Sequence, residues 1–423
     1  MLPEQVDLVV VGAGTAGAAA AGFAAGHGFK VLCVDRRRLD GAGARWVNGI
    51  TQTALAEANL TDVAGSMGAP PPFHLLTPHQ RVVVPKHDVL EVDMRALVAQ
   101  LHDRARDAGA ILVGGVAVRG RDGTTLRTED GDVRARWIVD ASGLAGVGLL
   151  EYATVAPEHL CAAAQAVFEL RDRGGAEAYF ASQRVPFGEI CAHVGVSGGY
   201  SVLNLHVHHG GQTVGVLTGA IPALGFRSGK AILDDFVRAQ PWIGARIFGG
   251  SGAIPLRRSR DRLTDGTVAL VGDAACQVFP AHGSGIGAGI LAGKLVADTL
   301  AGGGTLFDYE AAWQRRWGGL FATYDAVRRW SQTLDGAALD EIFERGLVDV
   351  ESARAGLDQE LPRISALGLR QKVRTLAANR GWARSLADLA ARAVAVQALY
   401  ARYPRNPVAR AAWSAAVQRI LPV

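Results

Sequence analysis

The first 35 residues pass from an apolar run through an alanine-rich stretch to a second apolar run. The segment VDLVVVGAGTAGAAAAGFAAGHGFKVLCVD opens with continuous apolar residues at 6–11, which is typical of a buried parallel strand. A glycine turn and a proline-free helical stretch follow, and a second apolar strand is predicted at 30–35. Parallel strands need a crossover of this kind, so the pattern predicts a β-α-β unit.

Strict alternation of apolar and polar residues appears later, in YSVLNLHVHHGGQTVGVLTGAI from Tyr200. It predicts two antiparallel strands joined by a turn at 209–211. The two faces of the first strand carry Leu203, Leu205 and Val207 on one side and Asn204, His206 and His208 on the other.

His206 and His208 are candidate metal ligands because residues two apart on a strand point the same way. The sequence places no third ligand beside them. Histidines that face solvent or a polar substrate are the alternative, and the sequence predicts no metal site.

Gly12, Gly14 and Gly17 stand in the turn between the first strand and its helix, with dinucleotide-binding spacing. Gly12 permits the tight turn, Gly14 lets the backbone approach a pyrophosphate, and Gly17 lets helix and strand pack closely. The helix N-terminus would face the phosphates. Asp35, at the end of the second strand, suits ribose hydroxyls. A helix that merely packs closely through glycine is the alternative.

A second glycine loop, GDAACQVFPAHGSGIGAG, lies about 260 residues further on. A nicotinamide dinucleotide would leave this loop without a role, whereas FAD offers a ribityl chain to Asp273. Amides of residues 283–286, at the start of a helix predicted to end at Leu300, would face the flavin ring edge. A helix N-terminus stabilises negative charge there by roughly 0.3–1 kcal/mol. A mobile loop capped by a helix is the alternative.

The chain from about Leu306 onwards has helical periodicity, and residues 363–423 carry eleven basic residues against the single acid Asp388. Such a region fits contact with a membrane surface or an acidic partner. The alternative is a helix face packed on the body of the protein. That face would consist of Leu386, Leu389, Ala393, Val396 and Tyr400.

Composition narrows the class of protein. A chain of 423 residues, 49% of them hydrophobic and with net charge +4, buries a large core and is expected to hold two or three domains. Its four cysteines show no CxxC spacing, which predicts neither a disulfide framework nor a zinc site and fits a reducing cytoplasm. Glycines interrupt the apolar run at 8–26, and Glu4 and Asp7 precede it, so we expect no signal peptide and no membrane span. No nucleic-acid-binding module accompanies the basic charge.

Four separated segments together resemble FAD enzymes of the p-hydroxybenzoate hydroxylase fold. This superfamily includes group A monooxygenases, geranylgeranyl reductases, flavin-dependent halogenases and lycopene cyclases. The segments are GAGTAG with VDR ending at Arg36, GARWVNGI from Gly43, EVDMRALVAQLHDRARDAGA from Glu91, and RWIVDASG followed later by VALVGDAACQVFPAHGSGIG. The motifs lie nearest to the geranylgeranyl reductase-like and halogenase-like members.

The resemblance implies an α/β fold with a Rossmann-type FAD-binding domain of the glutathione reductase type. An antiparallel substrate domain would be inserted into it, and a helical region would follow. The predicted bounds are 1–70, 91–151 and 261–305 for the FAD-binding domain, 71–90 and 152–260 for the substrate domain, and 306–423 for the helical region.

The resemblance also implies roles for individual residues. Arg36 would lie beside the adenosine ribose, Arg45 and Arg95 near the phosphates, and Asp273 on the ribityl chain. By residue pattern alone, Arg36 belongs to a charged turn and Arg95 to the outward face of a helix. The predicted cofactor-binding residues are Gly12, Gly14, Thr15, Ala16, Gly17, Asp35, Arg36, Arg45, Arg95, Gly272, Asp273, Pro280, Gly283, Ser284, Gly285 and Ile286.

His282, between Pro280 and Gly283, is the candidate catalytic residue because the resemblance places it near the flavin ring. With an ordinary pKa near 6.5 it could donate a proton after hydride leaves the flavin. A loop histidine bonded to the backbone is the alternative.

Departures from each subfamily favour reduction. Hydroxylases of this fold usually carry an asparagine and an Asp-Ala pair where this chain has Gly287, Ala292 and Gly293. The Trp-x-Trp-x-Ile-Pro stretch usual in the halogenases does not occur. Of the Tyr-x-Trp-x-Phe-Pro stretch usual in geranylgeranyl reductases, only Tyr200 remains.

We therefore predict a cytoplasmic FAD-dependent oxidoreductase that acts on a sizeable apolar or aromatic small molecule. Hydride transfer through flavin N5 would reduce or form a double bond, with NAD(P)H as a candidate reductant. A flavin monooxygenase or halogenase is the first alternative, and a non-catalytic carrier of related fold is the second. No nucleic-acid partner is expected.

Overall fold

The computed structural model describes residues 2–208, 210–363 and 380–423. Its first sheet has parallel strands at the centre, buried on both faces, which explains the continuous apolar runs of the sequence. Its strands are β1 (Gln5–Val11), β2 (Val31–Asp35), β7 (Ile111–Gly114), β8 (Val118–Asp122), β9 (Thr125–Thr128), β10 (Gly131–Asp140) and β16 (Val268–Leu270). The order is β7-β2-β1-β10-β9-β8, and β16 pairs in parallel with the end of β10.

Three helices position the two glycine loops against this sheet. They are α1 (Thr15–Gly26), α3 (Met94–Asp107) and α6 (Ile286–Ala301). Helix α1 packs on both α3 and α6. The approach of α6 is so close that a Cβ at Gly293 would lie 2.7 Å from the backbone nitrogen of Ala20. The second glycine loop is therefore brought beside the first.

A short antiparallel pair, β3 (Val47–Thr51) and β6 (Val89–Asp93), and helix α2 (Gln52–Glu57) lie between the loops and the second sheet. Ser284 ties the second glycine loop to this pair, because its Oγ donates a 2.6 Å hydrogen bond to the carbonyl oxygen of Gly49. The Oε1 atom of Gln165 accepts from the backbone nitrogen of Val47 at 3.1 Å and joins the pair to the second sheet.

The second sheet has seven strands, in the order β15-β11-β14-β13-β12-β4-β5. All neighbours are antiparallel except β4 and β12. The strands are β4 (Phe73–Leu76), β5 (Arg81–Val84), β11 (Leu160–Leu170), β12 (Ile190–Val194), β13 (Ser201–His208), β14 (Thr213–Ala220) and β15 (Ile243–Pro255). Leu203, Leu205 and Val207 pack in a core with residues of α4 (Arg173–Ser182) and α5 (Gly229–Ala239), so the opposite face of β13 turns towards β3 and β6.

The C-terminal region is helical. Its described helices are α7 (Leu306–Trp313), α8 (Gly319–Ser331), α9 (Gly336–Glu344), α10 (Val350–Leu357), α11 (Arg380–Ala401) and α12 (Arg410–Ile420), and a π-helical turn separates α7 from α8. Helix α11 lies on α8, with Val396 and Tyr400 buried and the other residues of the predicted face half-buried. Part of the basic stretch, 364–379, lies outside the described residues. None of the helices in the described ranges is long and apolar enough to cross a membrane.

Candidate cofactor site

The two glycine loops open into one cavity of about 810 Å³, bounded across from them by β15 of the second sheet. This volume is in the usual range for small-molecule sites. The predicted residues that line it are Gly12, Gly14, Thr15, Ala16, Asp35, Arg36, Arg45, Arg95, Gly272, Asp273, Gly283, Gly285 and Ile286. Gly17, Pro280, His282 and Ser284 do not belong to its wall. These four residues lie behind the wall, in the packing of the loops.

The first loop needs glycine at two positions. Gly12 has φ +102°, and a Cβ there would lie 2.3 Å from the carbonyl oxygen of Ala141. A Cβ at Gly17 would lie 1.8 Å from the carbonyl oxygen of Gly12, so strand and helix could not pack as they do. Helix α1 begins after Gly14 with no side chain capping it. Its first amide groups are thus available to an anion in the cavity.

Asp35 has a structural role that the sequence did not reveal. One carboxylate oxygen accepts a 2.8 Å hydrogen bond from the backbone nitrogen of Ala13, and the other accepts one of equal length from that of Arg37. The carboxylate therefore holds the glycine turn while it lines the cavity. Lone pairs not used by these two amides remain for ribose hydroxyls.

Arginines give one end of the cavity a positive charge. The Arg95 guanidinium lies 3.7 Å from the centre of the Phe248 ring and is paired with Asp93. Arg45 donates to the carbonyl oxygen of Asp40 at 2.7 Å. Guanidinium groups suit phosphate oxygens, which fits a pyrophosphate near this end. Two further lining arginines, Arg37 and Arg246, were missed because no motif marks them.

Asp273 is the acid whose environment most clearly calls for a ligand. Within the described part of the chain, its carboxylate accepts no hydrogen bond, and burial raises its pKa to about 6. A Cβ at Gly285 would lie 3.3 Å from its Oδ1 atom, so the loop glycine leaves room beside it. The side chain is half-buried and open to the cavity, so a ligand with hydroxyl groups that enters the cavity would find an acceptor there.

Glycines on β15 form the opposite wall. A Cβ at Gly250 or Gly252 would lie 2.9 Å or 3.3 Å from the Trp46 ring. Trp46 and Asn48, from the segment that leads into β3 and from β3 itself, also line the cavity. Sequence reasoning missed this wall, although the run GGSG inside a strand is a signal of close approach.

His282 has the geometry of a loop histidine bonded to the backbone. Its Nδ1 atom accepts a 3.3 Å hydrogen bond from the backbone nitrogen of Ser284, and its ring lies 5.0 Å from that of Phe279. Burial lowers the pKa of His282 to about 4, against a smaller opposing effect of the Leu357 backbone. The ring is therefore neutral at pH 7, and its catalytic role stays a prediction.

The histidine pair on β13 has a neighbour that the sequence could not supply. Glu91, on β6, is hydrogen-bonded through its Oε2 atom to Nδ1 of His206. Its separation from His206 along the chain is 115 residues. The pair faces the interior between the two sheets rather than solvent, since His206 and His208 are 12% and 2% exposed.

Comparison with known proteins places this geometry in context. No protein-family model matches the chain. It is 26% identical over 379 residues to digeranylgeranylglycerophospholipid reductase 1 of Methanopyrus kandleri, covering 80% of this chain and 93% of the relative. It is 27% identical over 387 residues to the protein of the same name in Methanothermobacter thermautotrophicus, covering 83% and 92%.

Solved structures agree on the fold. A geranylgeranyl bacteriochlorophyll reductase-like protein from Thermoplasma acidophilum superposes with a TM-score of 0.70 at 19% identity, covering 91% of this chain and 99% of that one. The myxobacterial chondrochloren halogenase, an FAD-dependent halogenase, gives 0.62 at 16% identity, covering 88% and 97%. The chain is an oxidoreductase with the fold of FAD-dependent enzymes. The predicted resemblance and fold class are thus confirmed.

FAD fits the site of this oxidoreductase. The N-terminus of α1 and the arginines would hold the pyrophosphate, and Asp35 with Arg36 would hold the adenosine ribose. The unpartnered Asp273 would accept from the ribityl hydroxyls. Helix α6, which begins after Gly285 with no side-chain cap, would present its amides to the ring edge. These individual assignments stay predictions.

Proposed function

We propose that this oxidoreductase reduces carbon–carbon double bonds in the prenyl chains of a lipid. The observation that carries the proposal is the similarity to digeranylgeranylglycerophospholipid reductases, which extends over four fifths of the chain. The chondrochloren halogenase, in contrast, is 16% identical and supports the shared fold alone.

Helix packing after the second loop supports the same choice. A Cβ at Gly287 would lie 2.9 Å from Cβ of Ala54, Ala292 is fully buried, and Gly293 touches the backbone of α1. An asparagine at position 287 or an aspartate at position 292 does not fit this packing, and even an alanine at position 293 would meet the backbone of α1. The start of α6 is therefore packed too closely for the asparagine and the Asp-Ala pair that are usual in the hydroxylases.

A second, mainly apolar groove of about 400 Å³ offers space for a hydrocarbon chain. It shares Ser251, Gly252 and Ala253 of β15 with the larger cavity, so the two spaces adjoin at this strand. Its other lining residues include Pro157, Leu160, Ala162, Pro222 and Ala223. Burial of apolar surface contributes roughly 0.8 kcal/mol per CH₂, which favours a long prenyl chain here.

Reduction of one double bond breaks the π bond and forms two C–H bonds, one from a hydride and one from a proton. A bound flavin supplies the hydride at N5. The chain supplies an apolar surrounding and a source for the proton. Tyr200 lines neither cavity; it packs behind the wall in a cluster with Val278, and burial raises its pKa, which makes its hydroxyl a poor acid. His282 therefore stays the candidate proton donor.

An anaerobic single-turnover experiment tests the proposal. The flavin is reduced with dithionite and then mixed with a geranylgeranyl-bearing glycerol phospholipid, with its fully saturated analogue as a control. We expect flavin reoxidation only with the unsaturated lipid, and a product two hydrogens heavier for each bond reduced. If reoxidation requires oxygen, or the product gains an oxygen or halogen atom, the monooxygenase or halogenase alternative is correct instead.

Two further proposals concern the surroundings of the reaction. NAD(P)H is the proposed reductant, and stopped-flow comparison of NADH, NADPH and dithionite tests it. The basic C-terminal region is proposed to contact anionic lipid at a membrane surface, where a prenyl lipid would be collected. Co-sedimentation with vesicles with and without anionic lipid measures this contact. Equal binding to both vesicle types would contradict it.

A further inference from the structure

Three metal-ligating side chains converge between the two sheets, away from the walls of the cofactor cavity. They are Glu91 from β6 and His206 and His208 from β13. The Oε2 atom of Glu91 is hydrogen-bonded to Nδ1 of His206 and lies 3.8 Å from Nδ1 of His208. The two ring centres are 4.2 Å apart, and one ligand atom from each residue lies within 4.8 Å of the others.

The fold of β13 and β14 creates this arrangement. Alternation along β13 places both imidazoles on the face that turns towards β6. The residue opposite His206 on β14 is Gly215, and a Cβ there would lie 3.0 Å from Nε2 of His208. Glycine at this position therefore makes room for the second ring beside the first. The histidine pair is held by a rigid sheet rather than by a loop.

One more imidazole, that of His87, lies on the segment that leads into β6, but it is not one of the three ligands. His87 is occupied elsewhere: its Nε2 is bonded to the carbonyl oxygen of Pro71 at 2.9 Å, and its Nδ1 accepts from the nitrogen of Val89 at 3.2 Å. A carboxylate with two imidazoles is a donor set that divalent metals bind.

The distances are close to those of a metal site. Zn²⁺ binds imidazole nitrogen and carboxylate oxygen at about 2.0–2.2 Å, so tetrahedral ligand atoms are separated by roughly 3.4 Å. The 3.8 Å separation, and an upper bound of 4.8 Å for the set, require only small side-chain movements. Glu91 is 25% exposed, which leaves a path for an ion and space for water as a fourth ligand.

We propose that Glu91, His206 and His208 together bind one divalent transition-metal ion, with Zn²⁺ as the best-matched ion, and that the ion clamps β6 to β13. The site would tie the strand pair next to the second glycine loop to the sheet that faces it, since Glu91 lies opposite Gly49, the residue that holds Ser284. The proposal does not depend on the identity of the substrate.

Metal titration of tag-free, flavin-loaded protein tests this site. The protein is treated with a chelator, dialysed and titrated with Zn²⁺ against a fluorescent indicator, and bound metal is counted by mass spectrometry. We expect one Zn²⁺ per chain. Glu91→Gln, His206→Asn and His208→Asn should each weaken binding at least about tenfold. His79→Asn is the matched control, because His79 is exposed, is not one of the three clustered ligands and has its backbone nitrogen bonded to Asp340, and it should leave affinity unchanged.

X-ray absorption at the zinc edge of the wild-type protein provides a readout independent of any variant. Two imidazole ligands with oxygen completing the shell support the proposal. Absence of stoichiometric Zn²⁺, a shell with fewer than two imidazoles, or equal affinities in His206→Asn and His79→Asn would overturn it. Circular dichroism and flavin content of each variant show whether weaker binding reflects loss of a ligand or of the fold. If the variants fail to fold, the wild-type absorption spectrum decides.

Discussion

Each of the two glycine loops combines an acid with an uncapped helix N-terminus, yet they hold that acid in different states. Asp35 receives two backbone hydrogen bonds of 2.8 Å, so the first loop supports itself. Asp273 accepts no hydrogen bond from the described residues, and burial raises its pKa to about 6. The comparison indicates that the acid of the first loop is already partnered by backbone amides, whereas the acid of the second loop is left available to a ligand.

The largest effect is expected from Gly17→Ala in the first loop. The new Cβ would overlap the carbonyl oxygen of Gly12, and backbone cannot move aside as a side chain can. We expect a loss of about 3 kcal/mol in the free energy of unfolding, the upper end of the usual cost of overpacking, and no flavin retention. Urea unfolding and flavin absorbance measure both.

Two further glycine-to-alanine substitutions serve as controls for the effect of Gly17→Ala on stability. Gly289→Ala, after the second loop, places Cβ 3.1 Å from Cβ of Ala16 and should cost less. Gly26→Ala, at the end of α1, meets no atom within 4 Å and should leave stability unchanged or slightly higher. If Gly17→Ala is no more destabilising than Gly26→Ala, the close packing of the first loop is not required.

The two acids should separate binding from stability. Asp273→Ala is expected to weaken FAD binding by about 1–3 kcal/mol, more than Asp35→Ala does, because the predicted ribityl site around Asp273 is recessed and offers fewer replacement waters. For the stability of the apoprotein we expect the opposite order, with Asp35→Ala the more destabilising of the two. Asp35→Ala removes two backbone hydrogen bonds, whereas Asp273→Ala removes an unpartnered carboxylate. FAD dissociation constants and apoprotein melting temperatures provide the test, and the same order in both measurements would contradict the comparison.

FAD affinity should depend on pH through Asp273. Hydroxyl donors favour the carboxylate, and its pKa without ligand is about 6, so affinity should fall as pH drops below 6, by up to about tenfold per pH unit. In the apoprotein, the raised pKa of Asp273 means that protonation of its carboxylate stabilises the fold. The ionised carboxylate lowers the free energy of unfolding above pH 6, and this loss is recovered as the pH falls towards 4. Asp273→Asn should remove both dependences, as titrations from pH 5 to 8 would show.

The smallest effect is expected from His282→Gln in the second loop. A buried ring whose pKa is about 4 is neutral throughout the working range, so we expect turnover to change less than about tenfold. A general acid contributes about 10²–10⁴-fold. A loss of that size, together with loss of a step in the pH profile, would instead establish His282 as the proton donor.

Local patterns were sufficient for much of the fold. Continuous apolar runs predicted the parallel strands, and alternation from Tyr200 predicted β13 and β14. Residue 209 of the predicted turn lies outside the described residues. The glycine spacing of each loop could be interpreted because φ above zero and close backbone approach are requirements of a few neighbouring residues. For the same reason, most predicted cofactor residues line a single cavity.

What the sequence by itself determined is therefore what depends on near neighbours: strands, helix starts and the chemistry of each loop. The tertiary structure alone decided which distant groups meet. It placed Glu91 against His206 and His208, buried His282 beside Phe279, and set the β15 glycines against Trp46. Contacts across more than a hundred residues arise from the packing of the two sheets and their helices. The residue pattern within a single segment cannot predict these contacts.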